Sequence, residues 1–550
     1  MAAYTNRLAL WWRQFSVVGL LVGTLFFAFS LTPSLVPRPF LVQGLISGLS
    51  FTAGYAVGFI GRWLWSYVGL PVAGPRVDRV IKILATVICA VVAVTFLWQA
   101  GEWQNALRAL MDMEEAGGVQ PVSVGLMTLV VFVILLTLAR LFKHTFRFLS
   151  HWLGRYIPQH VSNVLGVLVA AALFWSVIDG VIFSLALRTA DNSYQQVDAL
   201  VEEEQTRPTD PLKAGSRESH VDWRDLGRQG RNFVSSGPTE EELSDFLGEP
   251  TREPIRLYVG LNAAETAEER ASLALKELKR VNAFERSVLL LLTPTGTGWV
   301  DPAALSPVEY LHRGDIATVT AQYSYLPSAL SLMVEGEYGV EMARALFEKV
   351  YGHWSGLPAD ERPRLYLHGL SLGALNSDRA FDIYDVIQDP FHGALWSGPP
   401  FRSETWGKTT RERDPGTPAW LPTFRDGEVV RFMNQRQGLD RHDGAWGAFR
   451  IAYMQHASDP ITFFSPEIFY QEPEWMREPR GPDVSPDLRW YPIVTALQLA
   501  ADMAVAGGST PAGYGHAFSA SEYIDAWRTL TEPEGWSESD IRRLRALFTD

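Results

Sequence analysis

Five stretches in the first 188 residues each hold at least about 18 apolar-dominated positions, the length needed to cross a hydrocarbon core. They fall at roughly 15–34, 41–61, 81–99, 123–142 and 162–187. Such a segment spans as a helix, because lipid offers its peptide groups no hydrogen-bonding partner. The second stretch carries Gly44 and Gly48, then Gly54 and Gly58, and small residues four apart let helix backbones approach closely. Trp11, Trp12, Trp63, Trp65, Trp98 and Trp103 cluster near the ends of the stretches, where amphipathic rings prefer the membrane interface.

Charge separates the front of the chain from the back. Of the 48 Lys and Arg and the 61 Asp and Glu, 13 and 6 fall in residues 1–188, leaving 35 and 55 for residues 189–550. The basic residues alternate along the front. The tail has Arg7 and Arg13, the loop after the second stretch has Arg62, Arg76, Arg79 and Lys82, and the loop after the fourth has Arg140, Lys143, Arg147 and Arg155. The loop after the third is acidic, with Glu102, Asp112, Glu114 and Glu115. Positive segments stay in the cytoplasm, so five spans put the N-terminus inside and everything after Leu187 outside. Ala28-Phe29-Ser30 resembles a signal-peptidase site. The long apolar run favours an uncleaved first span, and cleavage would leave the orientation unchanged. Asp179, in the fifth stretch, is read as bonding to a neighbouring helix or lying near the interface.

The acidic back half excludes a nucleic-acid partner, which needs a basic face. Cys89 is the single cysteine, which excludes an internal disulfide and a thiolate metal site. No H-E-x-x-H is present and the histidines are scattered, so no metal or other cofactor is expected.

Three regions follow: a multi-span membrane part over 1–188, a polar linker over 189–252 and a catalytic domain over 253–550. The linker reads as a tether, with Thr239 and Glu242 forming a capping box that opens a short helix. From Pro254, short apolar runs alternate with longer amphipathic ones. Strands are expected at 256–260, 287–292, 316–321, 365–368, 393–396, 429–433 and 450–454, with helices at 264–280, 338–351 and from 521. This alternation implies an α/β domain with a mostly parallel sheet covered on both faces by helices.

The chemistry starts at Gly369-Leu370-Ser371-Leu372-Gly373. The G-x-S-x-G pattern marks a nucleophile elbow, a sharp strand-to-helix turn that exposes a serine hydroxyl near a helix N-terminus. It occurs once, after an apolar strand and before a helix-compatible segment, as an elbow requires. In that arrangement an acid and then a histidine follow the nucleophile in chain order. Asp459 sits in a turn after the last strand, at the sheet edge where such sites collect. Asp426 precedes its strand, and Asp440 and Asp443 lie further along a polar loop. His516 lies in the Gly-rich loop Gly513-Tyr-Gly-His, which is read as mobile enough to carry an imidazole over the serine. His456 is the runner-up, and His368 is expected to pack. His516 would then be the general base and Asp459 its orienting acid. An oxyanion hole would use the amide of Leu372 and one from Gly296 or Thr297, in the loop Thr293-Pro-Thr-Gly-Thr-Gly-Trp. That loop has no G-K-[ST] and no G-x-G-x-x-G, so it is not read as a nucleotide site.

Several longer segments go beyond the elbow. They are Asp222-Trp-Arg-Asp-Leu-Gly-Arg-Gln-Gly-Arg, Thr293-Pro-Thr-Gly-Thr-Gly-Trp-Val-Asp-Pro, Gln322-Tyr-Ser-Tyr-Leu-Pro-Ser and Leu395-Trp-Ser-Gly-Pro-Pro-Phe. On these the chain resembles the bacterial membrane-anchored α/β-hydrolase family 9, from about residue 15 to the end. The resemblance implies a multi-span N-terminal domain, an α/β-hydrolase domain and Ser371 as nucleophile, without a settled substrate. The expected activity is an esterase or lipase-like hydrolase at the outer face of a bacterial inner membrane. Its partners would be the bilayer and a lipid or acyl-ester substrate of the envelope. Acyl transfer would use the same residues, and a non-enzymatic scaffold or transporter keeping the fold is the alternative class. Trp299, Tyr323, Tyr325 and Trp396 fit an acyl pocket and core packing equally.

Overall fold

The computed structural model describes residues 15–71, 74–117, 120–176, 198, 206–328, 330–331, 336–442 and 444–549. Contacts group the chain into two compact units. One comprises residues 1–187, 464–478 and 483–511, and the other 188–463, 479–482 and 512–550.

The first unit is helical: α1 (Val17–Ser30), α2 (Phe40–Tyr67), α3 (Pro75–Leu110), α4 (Pro121–Leu153) and α5 (Gln159–Trp175). Proline at the first position of α3 and α4 suits a site whose N–H has no helical partner. Among the described residues, three helices are long and apolar enough to cross a membrane: α2, α3 and α4. The first expected span forms a helix of 14 residues. The fifth is described only as far as Ser176, and Asp179 lies outside the described residues.

The glycines of α2 work in two pairs. A Cβ on Gly58 would lie 2.5 Å from the Val18 carbonyl oxygen, and one on Gly54 2.6 Å from that of Val22. Gly54 and Gly58 therefore let α1 pack antiparallel against α2, backbone to backbone. A Cβ on Gly44 would meet Met127, and one on Gly48 would lie 2.5 Å from Val131 Cβ. That pair brings in α4, running in the same direction as α2.

A segment from far along the chain completes this unit. The helix Val494–Val505 contributes Asp502, whose carboxylate accepts from Ser34 Oγ (3.1 Å), the Leu35 amide (3.0 Å) and Arg38 Nε, all buried. Gln498 donates to the carbonyls of Ser30 and Thr32, at 3.2 and 3.0 Å. Tyr491 stacks on Phe29 with ring centroids 3.9 Å apart. Asp502 and Gln498 thereby bind peptide groups at the end of α1 and in the turn after it.

The second unit is built on a seven-stranded sheet: β1 (Ile255–Val259), β2 (Val288–Thr293), β3 (Ile316–Ala321), β4 (Arg364–Leu370), β5 (Gly393–Ser397), β6 (Val430–Met433) and β7 (Arg450–Met454). The order is β1-β3-β2-β4-β5-β7-β6, and every pairing is parallel. β1, β3, β5 and β6 are buried at every residue, as expected of strands covered on both faces. The helices α6 (Ala267–Arg280), α7 (Pro302–Leu311), α8 (Tyr338–Ser355), α9 (Leu372–Asp378) and α10 (Ala520–Thr531) lie between or after the strands.

The stretch read as a polar tether is structured from residue 206 onward. Val221, Trp223, Leu226, Phe233 and Val234 are buried, and the capping box of Thr239 and Glu242 opens the helix Glu240–Leu247. A Cβ on Gly230 would lie 2.4 Å from the Tyr258 ring, and one on Gly260 1.8 Å from the Asp225 carbonyl oxygen. The Asp222–Arg231 motif is thus a close-packing device against β1. Arg256 of β1 joins it to α7. Its guanidinium grips Glu309 at 2.7 and 2.6 Å and donates to the Phe233 carbonyl at 3.1 Å, with both charged side chains buried. Removing one member of such a pair strands the other charge. Arg256→Ala is expected to cost about 3–5 kcal/mol in chemical denaturation followed by tryptophan fluorescence. Arg256→Met with Glu309→Leu is expected to recover most of that loss.

Candidate active site

Ser371 sits at the junction of β4 and α9 with φ 57° and ψ −124°, a conformation that costs energy for any residue with a Cβ. Two glycines make room for the turn. A Cβ on Gly369 would lie 2.4 Å from Gly373 C, and one on Gly373 2.3 Å from the Thr293 carbonyl oxygen. The Ser371 amide is fixed by the Ser397 carbonyl at 2.9 Å, so the neighbouring strand β5 holds the elbow. Leu372 opens α9, and its amide is among the first N–H groups of that helix, which find no intrahelical acceptor.

Asp459 follows β7, the strand next to β5. It is fully buried. Its carboxylate accepts from the Ile461 amide at 2.8 Å, Thr462 Oγ1 at 3.1 Å and the Thr462 amide at 3.4 Å. A fourth donor is His516 Nδ1, at 2.7 Å from Oδ2. These four donors satisfy the hydrogen-bonding capacity of a carboxylate that water does not reach. Because Nδ1 donates, the other ring nitrogen carries the free lone pair in the neutral imidazole. That atom, Nε2, is buried and makes no hydrogen bond.

The His516 ring lies over Gly398, the residue after Ser397. A Cβ there would fall 2.5 Å from Cε1 and 2.8 Å from Nδ1, and φ is 51°. Gly398 itself is tied to Met454, its amide donating to that carbonyl at 2.8 Å. Ser371 and His516 are thus held against consecutive residues, Ser397 and Gly398, at the C-terminal end of β5, and Asp459 follows the neighbouring strand β7; no hydrogen bond joins His516 Nε2 to Ser371.

The histidine loop is anchored rather than mobile, contrary to the reading of its small residues. The Gly515 amide donates to Ser458 Oγ at 2.9 Å, and its carbonyl accepts from His456 Nδ1 at 2.9 Å. His456 is the sequence's runner-up for the base, and here it braces the loop that carries His516. Its second nitrogen donates to Glu522 at 2.6 Å. Glu522 also accepts from the amide and hydroxyl of Ser519, each at 2.7 Å, in the capping box of α10. Burial works to raise the Glu522 carboxyl, yet the charge and hydrogen bond of His456 and the bonds from Ser519 carry it below its ordinary value. Both His456 nitrogens are taken up, one by the Gly515 carbonyl and one by the Glu522 carboxyl, so the ring is committed to bracing the loop. The pattern Ser519-x-x-Glu522 was a readable signal for this capping box. His368 packs as expected. Its Nδ1 donates to the Leu395 carbonyl at 2.7 Å, and burial pulls its pKa down to about 4.

Of the two loop donors expected for an oxyanion hole, Gly296 is already engaged, its amide donating to Ser328 Oγ at 3.1 Å. The loop 326–328 presses so closely on Gly296 that a serine from a distant segment takes the donor. The Thr297 amide makes no hydrogen bond among the described residues, while its carbonyl is braced by Gln322 Nε2 at 3.3 Å. Trp396 is fully buried against Tyr453 and belongs to the core, and Tyr323 is buried as well. Tyr325 donates to Asn262 at 2.7 Å. Trp299 is exposed.

The same loop ends at Asp301, which caps α7 by accepting from the Ala303 amide at 2.9 Å. Burial outweighs that bond and lifts its carboxyl to about 6. The unfolded value is about 3.9. The folded state therefore holds the proton more tightly, and stability falls as pH rises from about 4 to about 6. Asparagine caps equally well and carries no charge. Asp301→Asn is expected to match the native melting temperature near pH 4 and to exceed it at pH 8, as read by thermal unfolding across that range.

Residues 255–544 match a family described as an alpha/beta-hydrolase family. Residues 31–238 match the N-terminal region of the same family. No curated protein and no solved structure matches the chain.

Proposed function

Because the chain belongs to the alpha/beta-hydrolase family, we propose that it is a membrane-anchored serine hydrolase acting on acyl esters of envelope lipids or lipoproteins through Ser371, His516 and Asp459. The observation that carries this reading is the carboxylate-held imidazole, whose Nε2 has no partner and which lies over the residue next to the one fixing Ser371. The three apolar helices α2, α3 and α4 are compatible with a membrane anchor. The charge alternation between the spans supports a catalytic unit outside the cytoplasm.

In the proposed reaction, His516 Nε2 takes the Ser371 proton as Oγ attacks the ester carbonyl. The new oxyanion accepts from the amides of Leu372 and Thr297. Collapse breaks the ester C–O bond, and the imidazolium returns its proton to the departing alcohol. Water, deprotonated by the same imidazole, then attacks the acyl-serine; the bond from the acyl carbon to Oγ breaks, the acid leaves and the imidazolium returns the proton to Ser371 Oγ. Asp459 holds the ring in the tautomer that leaves Nε2 free and stabilises the imidazolium without taking the proton.

The test is covalent labelling of the detergent-purified protein with a fluorophosphonate. Ser371 is expected to be the labelled residue, and Ser371→Ala to abolish labelling. An unlabelled but folded native protein would remove the hydrolase reading in favour of a scaffold. With an ester substrate in hand, Asp459→Asn is expected to lower kcat on the order of 10⁴-fold. Gly398→Ala, which pushes the imidazole aside, is expected to lower it on the order of 10²-fold and, with φ 51° at that position, to lower the unfolding temperature as well.

A further inference from the structure

Between α2 and α4 the first unit has a groove of about 1010 Å³ whose two ends differ in chemistry. Tyr55, Phe59 and Trp63 follow one another at intervals of four along α2 and line one wall, facing Leu135 and Leu136 of α4. Arg140, Lys143 and Arg147 continue the α4 wall. Their spacing of three and four residues puts them on one helix face. Because α2 and α4 run in the same direction, the cations gather at the Trp63 end. Lys143 and Arg147 are exposed, and Arg140 is half-buried with its guanidinium 5.7 Å from the Phe15 ring centroid. No acidic residue is among the described residues that line the groove.

Length and charge together select an occupant. At about 1.5 Å per residue, the wall from Thr52 to Trp63 is about 16 Å long, roughly half of a hydrocarbon core about 30 Å thick. That is the reach of an acyl chain in one leaflet. Three cations at the end of an apolar groove attract a negative headgroup, each basic group near the surface adding to the attraction. A neutral lipid would fill the apolar part and bring no charge to the basic end. We propose that this groove is a binding site for one anionic phospholipid, its acyl chain along the aromatic face of α2 and its phosphate held by Arg140, Lys143 and Arg147. The inference rests on reading α2 and α4 as membrane-spanning and is independent of the reaction at Ser371.

The full-length protein, stripped of lipid in a neutral detergent, is titrated with phosphatidylglycerol, phosphatidylcholine and inorganic phosphate, and bound lipid is counted by native mass spectrometry. One phosphatidylglycerol per chain is expected. Phosphatidylcholine should bind at least about tenfold more weakly, and millimolar phosphate should not displace the lipid. Replacing Arg140, Lys143 and Arg147 by Gln is expected to weaken phosphatidylglycerol about tenfold or more, while Arg140→Lys with Arg147→Lys retains it. Circular dichroism and fluorophosphonate labelling should report a folded protein throughout. Equal binding of the two lipids, unchanged binding by the triple variant, displacement by free phosphate, or a dimer that excludes lipid would each overturn the proposal. If the triple variant does not fold, the exposed Lys143→Glu decides: weakened phosphatidylglycerol binding supports the site, and unchanged binding overturns it.

Discussion

The bond between His516 Nδ1 and Asp459 Oδ2, 2.7 Å long, joins two loops 57 residues apart in the chain. The surrounding structure reads as the means of holding them in register. One short turn does most of this. Within residues 456–459, His456 grips the Gly515 carbonyl, Ser458 grips the Gly515 amide and Asp459 grips the imidazole itself. A loop fixed at both polar groups of the preceding residue leaves its histidine little freedom, so the ring is set before any substrate arrives. Preorganisation of this kind lowers the reorganisation needed as charge develops. Its cost is a set of buried charges, and each is met by several donors or by an opposite charge rather than left to solvent.

The brace continues into the sheet. Glu522 bonds to His456 and caps α10. The next residues of that helix reach back to β4, where the rings of Tyr523 and Trp527 pack edge-on against His368, at 5.8 and 5.5 Å. The strain at Ser371 is thus contained from two sides. The β5 backbone fixes its amide, and the strand leading into the turn is wedged under the helix that follows the histidine loop. A strained backbone persists only where its surroundings over-determine it.

Sequence legibility followed the range of the interactions. Strands 316–321 and 450–454 stand where the sequence puts them, because a short apolar run closed by turn residues is a local signal. The elbow was legible for the same reason. The fate of Gly296 was not, since the serine that occupies its amide lies 32 residues away in a different loop. Nor was the dual life of the 189–252 stretch. Trp223, Phe233 and Val234 are scattered among polar residues without a period, and their burial depends on the surface β1 offers. Asp502 and Gln498 look like solvent-facing positions on an apolar helix. Their partners, Arg38 and the carbonyls of Ser30 and Thr32, lie more than 460 residues earlier, and no pattern along the chain announces such a pairing.

That pairing bears on how divisible the gene is. The chain leaves the sheet-bearing unit after Phe463, contributes residues 464–478 and 483–511 to the helical unit, and returns at Ala512, four residues ahead of His516. Asp459 and His516, bonded to each other, are thus separated along the chain by a stretch that belongs to the other unit. A fragment starting at the first sheet strand would carry the helix Val494–Val505 with Asp502 cut off from Arg38, Ser34 and Leu35, and an apolar surface stripped of its cover. Replacing the helical unit with an unrelated segment would leave the stretch between Phe463 and Ala512 without the partners it has there.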